Sequence, residues 1–200
     1  MVKIMKNKRI KKVERKTRET DIAIEWNLDG TGKVDIQTGI GFFDHMLELF
    51  AVHGQFDLNV VCKGDLKVDG HHSVEDVGIV MGKLLSELVG DKKGMARYGL
   101  SYVPMDESLA RCVVDVSGRP YLVFGGEGLK GKVGEFDLEL VEEFFRAVST
   151  YGGLTLHIDV LHGSNTHHKA EAVFKAFARS LGAAVAIVGD KILSSKGMLE

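Results

Sequence analysis

Two short segments of this 200-residue chain read His-His-x-x-Glu. One is His71-His72-Ser73-Val74-Glu75, the other His167-His168-Lys169-Ala170-Glu171. Each opens an apolar run with helical spacing. On a helix the first His and the Glu are i and i+4 and share a face, while the second His lies about 100° round. One segment can therefore serve two metal centres, or a metal and a neighbour. Neutral imidazoles and carboxylates ligate first-row divalent ions; the mixed nitrogen and oxygen set suits six-coordinate Mn²⁺ or Fe²⁺, with Zn²⁺ or Co²⁺ as substitutes. No Cys stands near either segment, which argues against a Cys-rich structural zinc site. A single copy would describe a polar helix start just as well. Two copies at matching places in the chain point to ligands.

The remaining polar candidates are weaker alone. His45 stands near the start of another helical run, and counting back from the second His-His pair puts Glu143 at the matching place. His53 precedes Gly54 at a helix end, where it can serve the last carbonyls. His157 falls on the polar side of an alternating run, and His162 in a Gly-containing turn. Arg97, Arg119, Lys175 and the pair Ser195-Lys196 could clamp a phosphate, although each alone reads as a solvated charge. Glu19 alone reads as a charge at a strand end.

These residues need elements to hold them. Ile22, Ile24, Trp26 and Leu28 alternate with polar neighbours from Thr20 onward, the mark of a half-buried strand. Asp29-Gly30-Thr31-Gly32 reads as a turn, and Val34 and Ile36 resume the alternation, which predicts a hairpin. Phe43, Met46, Leu47 and Phe50 then follow helical spacing. Phe56, Leu58, Val60 and Cys62 predict a strand, and Val74 to Leu88 a second helix. The second half repeats the order. Ala110–Val116 and Tyr121–Phe124 predict strands about the turn Ser117-Gly118. Val141 to Val148 predict a helix, Leu154 to Val160 a strand, and Val173 to Val185 a last helix. The expected fold is α+β: two similar βα halves of ββαβα type, each a sheet packed against helices. Residues 1–12 read as a basic flexible tail, 13–99 as the first half and 100–200 as the second, together one catalytic domain.

Composition limits the function classes. Hydrophobic residues are 44% and charged residues 27%, as in ordinary globular proteins, which excludes a disordered chain. No apolar run is long enough to span a membrane. A net charge of −2 gives no field to attract nucleic acid. The two Cys, Cys62 and Cys112, lie in apolar strands and read as buried thiols of a reducing compartment. The basic start lacks an apolar secretory core, so the expected location is cytoplasmic.

Several motifs in one order carry a resemblance. They are Gly41-Phe42-Phe43-Asp44-His45-Met46-Leu47, Asp69-Gly70-His71-His72-Ser73-Val74-Glu75-Asp76, Pro104-Met105-Asp106-Glu107, His167-His168-Lys169-Ala170-Glu171 with Phe174–Arg179, and Ser194-Ser195-Lys196-Gly197. From about Arg15 to the C-terminus the chain resembles the imidazoleglycerol-phosphate dehydratases of histidine biosynthesis. The resemblance implies a two-layer fold of the ribosomal-protein and GHMP-kinase type. It also implies an octahedral assembly of twenty-four chains built from trimers, with active sites between subunits and two Mn²⁺ per site. The implied metal ligands are His45, His71, His72, Glu75, His167, His168 and Glu171, with Glu143 where many members carry a His. Implied substrate contacts are Glu19, Arg97, Arg119, Lys175, Ser195 and Lys196. Catalysis would centre on Glu19, His45, His71 and Glu171.

The chemistry suits this set. The substrate that the resemblance implies is an imidazole carrying a glycerol phosphate, and the proton to be removed sits on a carbon with no carbonyl beside it. Two metals on the ring nitrogens would stabilise an imidazolate, whose electrons expel the hydroxyl on the ring-attached carbon. The diazafulvene-like product makes the next C–H acidic, and Glu19 or a metal-bound water removes that proton. The enol then becomes a ketone. A basic clamp on the phosphate supplies positioning. Two rival readings use the same residues less fully. A dinuclear metallohydrolase would turn the metals on water, and a non-enzymatic RNA-binding or scaffold protein would use only the basic tail.

Overall fold

A computed structural model describes residues 9–126 and 129–199. The first half runs β1 (Ile10–Lys16), β2 (Thr20–Asn27), β3 (Val34–Gln37), α1 (Gly41–Gly54), β4 (Asp57–Gly64) and α2 (His71–Val89). The second runs β5 (Tyr98–Met105), β6 (Ser108–Asp115), β7 (Tyr121–Gly126), a two-strand insert β8 (Lys132–Val133) and β9 (Phe136–Asp137), α3 (Leu140–Gly152), β10 (Thr155–His162) and α4 (Thr166–Val185). The sheets are ordered β1-β2-β4-β3 and β5-β6-β10-β7, so the halves share one topology. The fold is α+β and duplicated, as expected, but each half opens with three strands and not two.

The extra strands escaped the pattern for different reasons. β1 is a charged edge strand whose residues are mostly exposed. It pairs with β2 from Ile10 opposite Asn27 to Lys16 opposite Asp21. Lysines on such an edge discourage pairing with other chains. Ile10, Lys11 and Lys12 thus belong to a strand and not to the tail assigned to 1–12, and Arg9 before them donates to Asp29 and to the Val185 carbonyl; residues 1–8 of that tail lie outside the described residues. In β5 the alternation is inverted. Tyr98, Leu100 and Tyr102 face outward, more than half exposed, while Gly99 is buried. A Cβ on Gly99 would sit 1.8 Å from the Ser180 carbonyl, so the backbone of α4 lies directly on the strand.

The expected hairpins are also corrected. β2 and β3 are not neighbours: β4 lies between them, antiparallel to β2 and parallel to β3. In the second half β10 lies likewise between β6 and β7. Alternation tells which residues face the core, but not which strand is the partner. A helix between β3 and β4 lets the chain return parallel, which a tight turn cannot do.

One buried core spans both halves. Phe43 meets Phe144 edge-on with ring centroids 5.5 Å apart, and Phe50 stacks on Phe177 at 5.4 Å. The helices lie between the sheets, α1 on α4 and α2 on α3, so a pseudo-two-fold axis exchanges the halves. The α2–α3 approach is close. A Cβ on Gly78 would come within 2.9 Å of the Ala147 Cβ and the Phe144 carbonyl oxygen, and one on Gly82 within 2.9 Å of the Gly152 nitrogen. Both cysteines are buried as free thiols. Burial pushes the Cys62 thiol up to about 11 and that of Cys112 to about 12, which leaves neither nucleophilic. Among the described residues no helix is long and apolar enough to cross a membrane.

Candidate metal centre and substrate site

Both His-His pairs start helices, and both starts are capped locally. The Asn165 side chain accepts hydrogen bonds from the backbone N–H groups of His167 and His168. Asp69 does the same for His71, at 2.8 Å. These acceptors satisfy N–H groups that a helix start leaves open, and they fix the first turn on which the imidazoles ride.

His45 on α1 comes from one half, and His167 and Glu171 on α4 come from the other. Their ligand atoms lie within 4.8 Å of one another, and among the described residues no other trio of metal-ligand type does so. Glu171 Oε1 is 3.2 Å from His45 Nε2 and 2.9 Å from His167 Nε2. Its other oxygen accepts from the Lys175 ammonium at 2.5 Å. Burial works to raise the Glu171 carboxyl, but hydrogen bonds from Lys175, His45 and His167 outweigh it and hold it down at about 2. The carboxylate therefore stays anionic at neutral pH and can act as an oxygen ligand.

The pseudo-symmetric partner of this trio is Glu143 on α3 with His71 and Glu75 on α2. It is more open. His71 Nε2 lies 3.8 Å from Glu75 Oε2, while Glu143 turns to Arg146, 3.6 Å away. The structure does not draw Glu143 into a ligand group with the other two.

The second histidines of the pairs point elsewhere, as the helix geometry requires. His168 Nδ1 lies 2.8 Å from Glu107 Oε2, and His72 Nδ1 lies 3.0 Å from Asp65 Oδ2. A carboxylate on one ring nitrogen is the usual outer-shell support of a metal-binding imidazole, leaving the other nitrogen for the ion. The hydrogen bond to Asp65 raises the His72 pKa, and that to Glu107 raises His168. Composition and spacing did not single out Asp65, and Glu107 stood within a motif without a role. The repeat held the signal: the β1–β2 turn carries Glu19, and the matching β5–β6 turn carries Asp106 and Glu107. Glu19 Oε1 stands 3.8 Å from His72 Nε2, and Asp106 Oδ2 stands 4.0 Å from His168 Nε2.

The expected phosphate clamp gathers for the most part. Arg97, Arg119, Ser195 and Lys196 line one cavity of about 370 Å³ under the C-terminal segment. Arg97 is gripped by Asp115, at 2.7 and 3.0 Å, and donates to the Leu193 carbonyl at 2.6 Å. Its φ of 69° lies in the left-handed region. Backbone bonds hold it there, from Arg97 to the Ala184 carbonyl and from Val116 to the Arg97 carbonyl. Arg119 reaches Asp115 only at 3.9 Å and stays half exposed. Lys175 does not line this cavity; it sits at the metal trio. His157 and His162 are exposed and are not among the trio. The α1 end is capped by Gln55, whose backbone N–H reaches the Ala51 and Val52 carbonyls, and not by His53.

The chain is similar to proteins of one family. Residues 38–181 match a family model described as imidazoleglycerol-phosphate dehydratase. A relative of that name from Exiguobacterium sp. is 56% identical over 193 residues, 96% of this chain and 99% of the relative. One from Acetivibrio thermocellus is 57% identical over 190 residues, 94% of this chain and 97% of the relative. The crystal structure of the Staphylococcus aureus enzyme superposes with a TM-score of 0.81 at 50% identity, covering 89% of this chain and 99% of that one. That of Pyrococcus furiosus gives 0.81 at 34% identity, covering 94% and 100%. Family model, relatives and solved structures span the same helices that carry the His-His-x-x-Glu segments. On that evidence the chain belongs to the imidazoleglycerol-phosphate dehydratase family.

Proposed function

We propose that the protein dehydrates imidazoleglycerol phosphate to imidazole-acetol phosphate and water in histidine biosynthesis. The observation that carries this is the meeting of His45, His167 and Glu171 from the two halves at one point. The donor set fits a hard-to-borderline divalent ion, and we take it to be Mn²⁺, two per active site. His45, His167 and Glu171 would hold one ion; His71, Glu75 and Glu143 would form the matching set. His72 and His168, each anchored at Nδ1 by a carboxylate and with Glu19 or Asp106 beside Nε2, would complete sites on neighbouring copies. Bound ions would supply positive charge to the nitrogens of the substrate ring.

The chain's own residues do the rest. Glu19 takes the proton from the carbon next to the departing hydroxyl; its place beside His72 supports that role. Arg97, Arg119, Ser195 and Lys196 hold the phosphate and fix the reacting carbons, with Lys175 as a further contact from the metal side. The assembly is taken to be an octahedron of twenty-four chains, and the compartment the cytoplasm. The one-domain division belongs to the same reading, with the halves starting at the first strand of each, Ile10 and Tyr98, and not at 13 and 100.

The test is kinetic. Protein loaded with Mn²⁺ should convert imidazoleglycerol phosphate to the ketone. Glu19→Gln should lower kcat by roughly 10²–10⁴-fold with metal content intact. Arg119→Ala should instead raise KM strongly. A Glu19→Gln enzyme with near-normal kcat would move the base to another group.

A further inference from the structure

The turn that carries Glu19 is tied to the helix that carries His72. The Thr17 hydroxyl accepts from the backbone N–H groups of Glu19 and Thr20, at 3.1 and 3.0 Å. The Thr17 N–H donates to the Thr20 carbonyl at 2.8 Å. These bonds fix the backbone of the turn. The buried Thr20 hydroxyl then donates to Asp76 Oδ2 at 2.5 Å, and Arg15 Nη1 stands 2.6 Å from the same oxygen. Asp76 is itself buried, and it follows His72 by one helical turn on the same face of α2. One carboxylate therefore sets the distance between the turn and the imidazole beneath its tip.

The second half is an internal control. Its matching turn, β5–β6, packs beside His168, but the residue one turn on is Ala172, which is buried and has nothing to clasp with. That turn is held from the other side, by Glu107 accepting from the backbone N–H groups of Ser164 and Asn165 at 3.1 and 2.8 Å. The fold closes the same turn without an aspartate on the helix. The clasp thus belongs to the half with Glu19, and a carboxylate held by a hydroxyl hydrogen bond and an ion pair is a stiff anchor.

We propose that Asp76, acting through Thr20, is a positioning residue that holds Glu19 in place for proton removal. The proposal rests on the reading of Glu19 as the base. The experiment is steady-state kinetics on the metal-loaded assembly with Thr20→Val, which keeps the side-chain shape and deletes the hydroxyl. A misplaced base should lower kcat by about 10- to 100-fold, with KM, metal content and particle mass unchanged. Thr20→Ser should restore kcat to within about threefold, since it returns the donor. In a Glu19→Gln background Thr20→Val should cost nothing more, because the group it positions is already gone. The proposal is overturned by normal kcat in Thr20→Val while Glu19→Gln is impaired. An equal further loss in the Glu19→Gln background also overturns it. Full activity of Glu19→Gln alone removes the base and, with it, the need for a clasp. Should Thr20→Val not assemble, Thr17→Ala loosens the same turn without touching Asp76, and the same outcomes decide.

Discussion

At the scale of single residues, the site divides into groups that would face an ion and groups that aim them. Asp65 and Glu107 are of the second kind, each bonded to the Nδ1 of an outward histidine. Asp65→Asn and Glu107→Gln keep the size of the side chain but remove the negative charge that strengthens the imidazole as a ligand. Each should weaken metal binding by about 10- to 100-fold, while the fold persists. A competition titration against a chelator measures this, and unchanged affinity in both variants would deny the two carboxylates their role. The facing residues were legible because imidazoles and a carboxylate recur at fixed short spacing. The aiming residues were not. Glu107 is 61 positions from His168, and nothing local marks a pairing across that distance. Arg97 and Ser195 show the same limit, since only the closing C-terminal segment brings them to one cavity.

Helices, strands and turns set how these residues meet, and the packing of α2 on α3 is the contact most exposed to change. Gly78 lets the helices approach until a Cβ would overlap Ala147 and the Phe144 backbone. Glu143 precedes Phe144, so this contact also sets how far Glu143 stands from His71 and Glu75. Gly78→Val should push α3 outward and destabilise the protein by about 1–3 kcal/mol, the usual cost of overpacking. It should also lower the bound metal toward one ion per chain, because the trio on α1 and α4 is untouched. Thermal melts and elemental analysis read the two effects separately; a full metal complement would show that α3 carries no ligand. Helices were legible because each has one long apolar face, as in Val141, Phe144, Phe145 and Val148. Strand pairing was not, for β2 and β3 look like a hairpin until α1 carries the chain round. The inverted β5, with Tyr98, Leu100 and Tyr102 outside, defeats any rule that sends apolar residues inward.

For the whole molecule, the repeat was legible and its consequence is geometric. Among the described residues a single chain gathers three donors at one point, and a six-coordinate ion needs more. His72 and His168 stand outside the trio, with Nδ1 of each held by a carboxylate and Nε2 beside a second one, Glu19 for His72 and Asp106 for His168. If another copy supplies the ion that Nε2 binds, every ion links chains. Binding to the assembled state alone then stabilises it by mass action, about 2.7 kcal/mol per site at a hundredfold excess over Kd. Removing metal with a chelator should therefore shift the particle to lower mass in light scattering, and Mn²⁺ should restore it. His72→Ala with His168→Ala should give the same smaller particle with no chelator present, while each chain still holds the His45, His167 and Glu171 group. The paired design matters, since a chelator strips metal from every site, whereas the substitutions remove only the outward ligands. A chelated particle and a double variant that both keep full mass would mean that apolar contacts alone, such as the exposed face of β5, hold the copies together.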